Sequence, residues 1–152
     1  MEVLAPVSGS VVPLSEVPDE VFSGGMAGEG AAIVPDEGGE VVAPVSGRLT
    51  KLFEGGHAFG LLADCGSGGM ELIVHLGLDT IELAGKGFEK LAAEGDVVEA
   101  GRPIVCMDLQ TIRSTGYDPI TPVVVANADE FRVSGVKRKR VKTGEVMFEA
   151  GG

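Results

Sequence analysis

At 152 residues with 44% hydrophobic side chains, the chain is large enough to bury one core without help from metals or disulfides. Aromatics supply only 5% and Trp is absent, so that core has to be built from Val, Ile, Leu and Ala. A formal charge of −11 excludes nucleic acid as a general partner, because such complexes rely on Lys and Arg to neutralise phosphates; it favours solubility and a basic protein partner.

Taken in chain order, the apolar periodicity is that of short strands. They fall at Gly9–Leu14, Ala31–Pro35, Gly39–Pro44, Phe53–Gly60, Gly60–Ala63, Glu71–Thr80 and Pro103–Met107. The 24 glycines and 8 prolines lie between these runs and act as turn punctuation. Two stretches read as brief helices, Gly87–Ala93 and Asp108–Thr115, the second opened by an Asp cap. Many short strands at near-regular spacing predict an all-β sandwich or barrel with one or two very short helices. Residues 1–150 make one domain, and residues 151–152 read as a tail or linker stump. No run of eighteen apolar residues and no signal peptide pattern occurs, so a cytoplasmic protein without direct membrane insertion is expected. Cys65 and Cys106 have neither metal-ligand nor redox spacing and are expected to be buried free thiols.

The chain repeats itself. Ala5-Pro6-Val7-Ser8-Gly9 recurs as Ala43-Pro44-Val45-Ser46-Gly47, each time ahead of an apolar strand. A looser echo relates Glu94–Ile104 to Val141–Met147, where a Gly-Asp or Gly-Glu turn leads into an apolar pair. Such repeats resemble the half-barrel units of biotinyl and lipoyl carrier domains. Those carriers need a lysine at a hairpin tip, usually beside methionine, and no Met-Lys pair occurs here. Lys137-Arg138-Lys139-Arg140 with Lys142 concentrates five of the twelve basic residues, and in a strand this reads as a solvated edge that discourages sheet-to-sheet pairing.

The chemistry-bearing candidates are the two histidines, His57 and His75, both in apolar segments read as strands. Period-two alternation puts Ile73, His75 and Gly77 on one face, with Asp79 continuing it. Gly77 leaves that face open, and its carbonyl is placed to accept from Nδ1–H of His75, leaving Nε2 as nucleophile. His57 follows Gly55 and Gly56, which also keep bulk away. By pattern alone three readings stay open: a phosphoryl-transfer pair, a zinc site completed by a carboxylate, or two satisfied core histidines. A zinc peptidase of lysostaphin type would need a further His-x-His pair, and there is no third histidine.

One family shares these motifs in order. Ala5-Pro6-Val7-Ser8-Gly9, Val12–Asp19, Val21-Phe22-Ser23, Met26, His57-Ala58-Phe59, Glu71–Thr80, Gly85–Phe88, Gly95–Val98 and Thr121–Val124 together resemble the glucose-type enzyme IIA of the bacterial phosphoenolpyruvate-dependent sugar phosphotransferase system. The stretch through His75 is the most specific. The resemblance implies an antiparallel β-sandwich of barrel-sandwich hybrid type. It implies that His75 accepts a phosphoryl group on Nε2 from the small histidine-containing phosphocarrier protein. The group then passes to the enzyme IIB domain of a sugar permease, with His57 contacting it and needed for onward transfer. It further implies an apolar rim matched by Phe22, Met26, Ala27, Phe53, Ile73 and Ile81, and two carboxylates, Asp19 and Asp79, that meet a basic residue of the partner. No cofactor is implied. No metal is obligatory, although His57 and His75 could bind zinc adventitiously or in a regulatory complex, as in some relatives that control other enzymes or permeases. Two departures stand out. Gly55 occupies the position where familiar members carry a threonine that supports the ring of His57. The motifs also begin within a few residues of Met1, so the membrane-touching extension of some members is not expected.

Overall fold

The computed structural model describes residues 1–64 and 69–151. The described chain forms strands β1 (Glu2–Leu4), β2 (Gly9–Pro13), β3 (Glu29–Pro35), β4 (Gly39–Val42), β5 (Gly47–Leu52), β6 (Ala58–Asp64) and β7 (Gly69–His75). It continues with β8 (Phe88–Lys90), β9 (Val97–Val98), β10 (Pro103–Met107), β11 (Thr121–Val125), β12 (Arg132–Ser134), β13 (Arg140–Val141) and β14 (Val146–Gly151). Two short α-helices interrupt them, α1 (Glu20–Ser23) and α2 (Leu109–Ser114). The fold class is all-β, as the strand spacing predicts, and every described strand pair is antiparallel, as the resemblance implies. An eight-stranded sheet runs in the order β13-β2-β3-β11-β7-β6-β5-β9, and two three-stranded sheets run β1-β14-β12 and β4-β10-β8.

The main core lies between the large sheet and the two small ones. Val74 and Leu72 of β7, Phe59 and Leu61 of β6 and Val123 of β11 meet Ile104 and Met107 of β10 and Phe148 of β14, all at most 1% exposed. Alternate residues of the central strands point the other way. Ala32 of β3 and Val124 of β11 join a second, smaller core on the outer face, under Val17, Phe22, Leu78 and Ile120. This outer core seats the segment carrying α1 against the sheet, and so places Phe22 beside β7.

The repeated motif is a repeated structure. Ala5 donates to the Glu145 carbonyl (2.7 Å) and accepts from Gly144 N–H (2.9 Å), while Ala43 donates to Arg102 (2.8 Å) and accepts from Gly101 (2.8 Å). Ser8 Oγ accepts from Thr143 N–H, and Ser46 Oγ accepts from Ala100 N–H, both at 2.9 Å. These bonds align Gly101 with Gly144 and Val98 with Val141, so the Gly95-Asp96 turn is not the counterpart of Gly144-Glu145. Each unit lays a two-residue strand on the start of a longer one, β13 on β2 and β9 on β5, and these are the two edges of the large sheet.

Three local expectations change. Gly87–Ala93 has helical composition, but Phe88–Lys90 pairs with Val105–Met107 as β8, because a neighbouring ladder outweighs local propensity. Gly151 ends β14 opposite Arg132 rather than fraying, and Gly152 lies outside the described residues. Cys106 is half-buried rather than buried, and Cys65 lies outside the described residues. Asp108–Thr115 does contain a helix, α2, whose Asp108 cap accepts from Thr111 N–H (3.2 Å) and Thr111 Oγ1 (2.9 Å). The basic run is exposed and partly paired: Arg140 grips Asp36 through Nε (2.7 Å) and Nη2 (2.9 Å), and Arg138 lies 3.6 Å from Glu16.

Candidate functional site

His75 is the last residue of β7. The chain leaves the sheet there because Gly77 takes a left-handed conformation (φ +84), and a Cβ at that position would lie 2.6 Å from Thr80 Cγ2 and 2.9 Å from the Asp118 carbonyl. Leu78 N–H then bonds Asp118 O (2.9 Å), and the buried Thr80 hydroxyl bonds Leu76 O (2.7 Å). The strand therefore ends five residues before Thr80. Gly77 and Asp79 do not continue the face of Ile73 and His75; Asp79 is itself left-handed (φ 59) and opens a 3-10 turn over Thr80–Leu83. What the turn preserves is the contact expected from the sequence: Nδ1 of His75 lies 2.6 Å from the Gly77 carbonyl. A carbonyl only accepts, so Nδ1 carries the proton and Nε2 keeps its lone pair.

His57 is not in a strand but at the end of a turn, immediately before β6. Gly56 N–H closes the turn onto Phe53 O (2.8 Å) with φ +80, and Phe53 N–H bonds Ala58 O (3.0 Å). Ala58 pairs with His75 in the β6–β7 ladder, and Leu76 N–H donates to the His57 carbonyl (2.7 Å). These bonds tie the two histidine segments together. The imidazole centroids stand 5.6 Å apart at 70°, Phe22 meets His75 edge-on at 5.7 Å, and Phe53 meets His57 edge-on at 5.2 Å.

The two rings have different surroundings. His75 is half-buried and His57 is only 4% exposed, opening into a cavity of about 580 Å³ lined by Phe53, Glu54, Gly55, Ile81 and Ala84. Burial first, and then the neighbouring His75, push the His57 pKa below that of an ordinary imidazole, which keeps it neutral at pH 7. Among the described residues no hydrogen bond holds the His57 ring; edge-on contacts with Phe53 and His75 do so.

Of the remaining residues expected at the site, Phe22 and Phe53 touch the two rings and Ile81 lines the His57 cavity. Ala27 and Ile73 pack with Phe22 in the outer core, while Met26 and Ile81 are 80% and 60% exposed. Asp19 caps α1, its Oδ1 accepting from Val21 N–H (2.9 Å). Val21, next to Phe22 in α1, is a further exposed apolar side chain at 49%, and a four-residue helix is too short to signal this by periodicity. Among the described residues, no group of three or more His, Cys, Asp and Glu is placed to hold a metal ion, and no helix is long and apolar enough to cross a membrane.

Fold and site together define an antiparallel β-sandwich protein that sets two imidazoles in T-shaped contact, flanked by the rings of Phe22 and Phe53. The family model for the phosphoenolpyruvate-dependent sugar phosphotransferase system (PTS), EIIA 1, matches residues 1–131. The chain is 48% identical over 133 residues to the PTS beta-glucoside-specific EIIBCA component of Bacillus subtilis (strain 168), a match covering 88% of this chain and 21% of that protein. It is 44% identical over 128 residues to a PTS glucose-specific EIIA component of Staphylococcus aureus, covering 84% and 75% respectively. The solved structure of glucose permease IIA from Mycoplasma capricolum superposes with a TM-score of 0.89 at 38% identity, over 97% of this chain and 94% of that one. The chain belongs to the EIIA 1 family of the phosphoenolpyruvate-dependent sugar phosphotransferase system, and spans about a fifth of the length of its Bacillus relative.

Proposed function

We propose that this chain carries a phosphoryl group during sugar uptake, taking it onto Nε2 of His75 and passing it to a sugar permease. The donor is the small histidine-containing phosphocarrier protein and the acceptor is the IIB domain of the permease. The observation that carries this reading is the 2.6 Å contact from His75 Nδ1 to the Gly77 carbonyl, which leaves Nε2 with its lone pair. In the forward step that lone pair forms the N–P bond as the donor's N–P bond breaks, and the proton stays on Nδ1, hydrogen-bonded to the Gly77 carbonyl. The phosphorylated ring is then a cationic leaving group, and onward transfer restores the neutral imidazole.

Phosphoryl transfer needs positioning and charge stabilisation more than covalent chemistry. Neutral His57, with its ring centroid 5.6 Å from that of His75, is placed to donate an N–H to a phosphoryl oxygen. Phe22, Met26, Ala27, Phe53, Ile73 and Ile81 form the rim that a partner covers, excluding water that would hydrolyse the phosphohistidine. Asp19 and Asp79 supply negative charge toward a basic partner surface. The acceptor is read as a permease domain because the Bacillus relative is an EIIBCA component. The sugar is not set by this chain, since its relatives are beta-glucoside-, glucoside- and glucose-specific.

The test is a relay reconstituted from phosphoenolpyruvate with mass-spectrometric location of the label. One phosphoryl group on His75 is expected. His75→Ala should abolish labelling, and His57→Ala should still accept but fail to donate. Label on another residue, or none in a working relay, would overturn the reading.

A further inference from the structure

The outer face of the eight-stranded sheet is covered over only part of its width. Val17, Phe22, Leu78 and Ile120 pack over β3 and β11, and this cover stops at Ile73 of β7. Beyond it the same face continues uncovered onto β6 and β5. Gly60 lies opposite Ile73 and Lys51, and Leu62 lies opposite Glu71. Leu62 and Phe53 are 38% and 36% exposed. Together with Ile73 they wall a largely apolar depression of about 340 Å³. It adjoins the imidazole pair directly: Phe53 is the ring that meets His57, and Ile73 is two residues from His75 on the same face. Lys51 Nζ stands 5.5 Å over the Phe53 ring and pins that wall.

Gly60 is what makes the depression. Its backbone is not left-handed, and a Cβ there would meet nothing closer than Thr50 Oγ1 at 3.5 Å. A side chain fits at this position, and its absence leaves a hole in an otherwise filled sheet surface. We propose that this hole is a specificity pocket for the protein that donates the phosphoryl group to His75, and that it receives one apolar side chain, of Leu, Met or Phe size, from a basic surface of that protein. This rests on the phosphohistidine reading above. A protein that delivers phosphorus to Nε2 of His75 has to lie on the rim of which Phe53 and Ile73 are part, so the pocket falls inside its footprint. Buried apolar anchors in such central pockets dominate the energetics of protein interfaces. The chain's net charge of −11 favours a basic partner surface around the anchor.

Gly60→Leu fills the pocket from its floor, Gly60→Ala removes a small part of it, and Leu62→Asn makes one wall polar without filling it. In the reconstituted relay, Gly60→Leu and Leu62→Asn should each lose about tenfold in kcat/KM, mainly through KM, while Gly60→Ala stays within about twofold of wild type. Phosphoramidate, a small donor with no protein surface, should label His75 of all four proteins alike. Relay kinetics for both Gly60→Leu and Leu62→Asn equal to wild type, with normal phosphoramidate labelling, would overturn the pocket alone. Failure of phosphoramidate to label His75 in the wild-type protein would overturn the reading on which the pocket rests.

Discussion

His57 and His75 differ in what holds each ring, and that difference sets how each is tested. His75 has a carbonyl partner 2.6 Å away, whereas His57 has only aromatic edges and an open cavity behind it. A Cβ at Gly55 would stand 3.3 Å from His57 Nδ1 and 3.3 Å from Gly85 N, in a backbone conformation that accepts a side chain. Gly55→Ser therefore brings a hydroxyl within hydrogen-bonding reach of Nδ1, at the cost of a small shift at Gly85. One such bond should raise onward transfer from His75 by about two- to tenfold, read by rapid quench, with a matching 15N shift at His57. A bonded Nδ1 with an unchanged rate would mean that the aromatic contacts already position the ring.

The depressed proton affinity of His57 also has a sign in stability. Above about pH 6.5 the residue is neutral in both folded and unfolded chains and contributes no pH dependence. As pH falls below that value the unfolded chain takes a proton that the folded protein resists, so folding stability declines. Urea unfolding at pH 7.5 and 5.5 should show this decline, and His57→Gln should lessen it. An identical decline in the variant would assign the effect to other groups.

At the scale of elements, the two copies of the Ala-Pro-Val-Ser-Gly unit offer a matched pair of substitutions. Ser8 is 6% exposed and its hydroxyl is the partner of Thr143 N–H, whereas Ser46 performs the same duty for Ala100 in an exposed setting. Ser8→Ala leaves its donor in a part-buried place and should cost about 1–2 kcal/mol in denaturant unfolding, with Ser46→Ala costing less. Asp19 caps α1, and in the proposed function it also presents charge to the partner. Asn caps as well as Asp, so Asp19→Asn should leave unfolding within a few tenths of a kcal/mol, roughly, while raising KM in the relay at low salt. Asp19→Ala should add about 1 kcal/mol of destabilisation. A KM unmoved by Asp19→Asn would remove that carboxylate from the docking surface.

Across the whole molecule, the net charge of −11 already counts the basic run, of which Arg138 and Arg140 are engaged with Glu16, Asp36 and Glu37 of the same chain. The run sits around an edge strand, where its charges oppose pairing with another sheet. The acidic remainder should steer a basic partner, so relay kcat/KM should fall as ionic strength rises through about 0.1 M, where the screening length is about 10 Å. A salt-independent rate would rule out steering.

Sequence by itself determined the all-β class, the α2 cap at Asp108, the paired Ala-Pro-Val-Ser-Gly units and the two histidines with the Gly77 carbonyl beside one of them. Each is a short-range property: a period of two, a capping side chain, or atoms two residues apart. Only the tertiary structure decided that β7 stops at His75, because the left-handed turn at Gly77 is held by Leu78 bonding Asp118 some forty residues on. It likewise decided that Phe88–Lys90 is a strand, that Val21 is left exposed, and that the two imidazoles meet at the end of the β6–β7 ladder. Those outcomes rest on partners distant in sequence, whose contacts outweigh the local preferences that a pattern of residues can reveal.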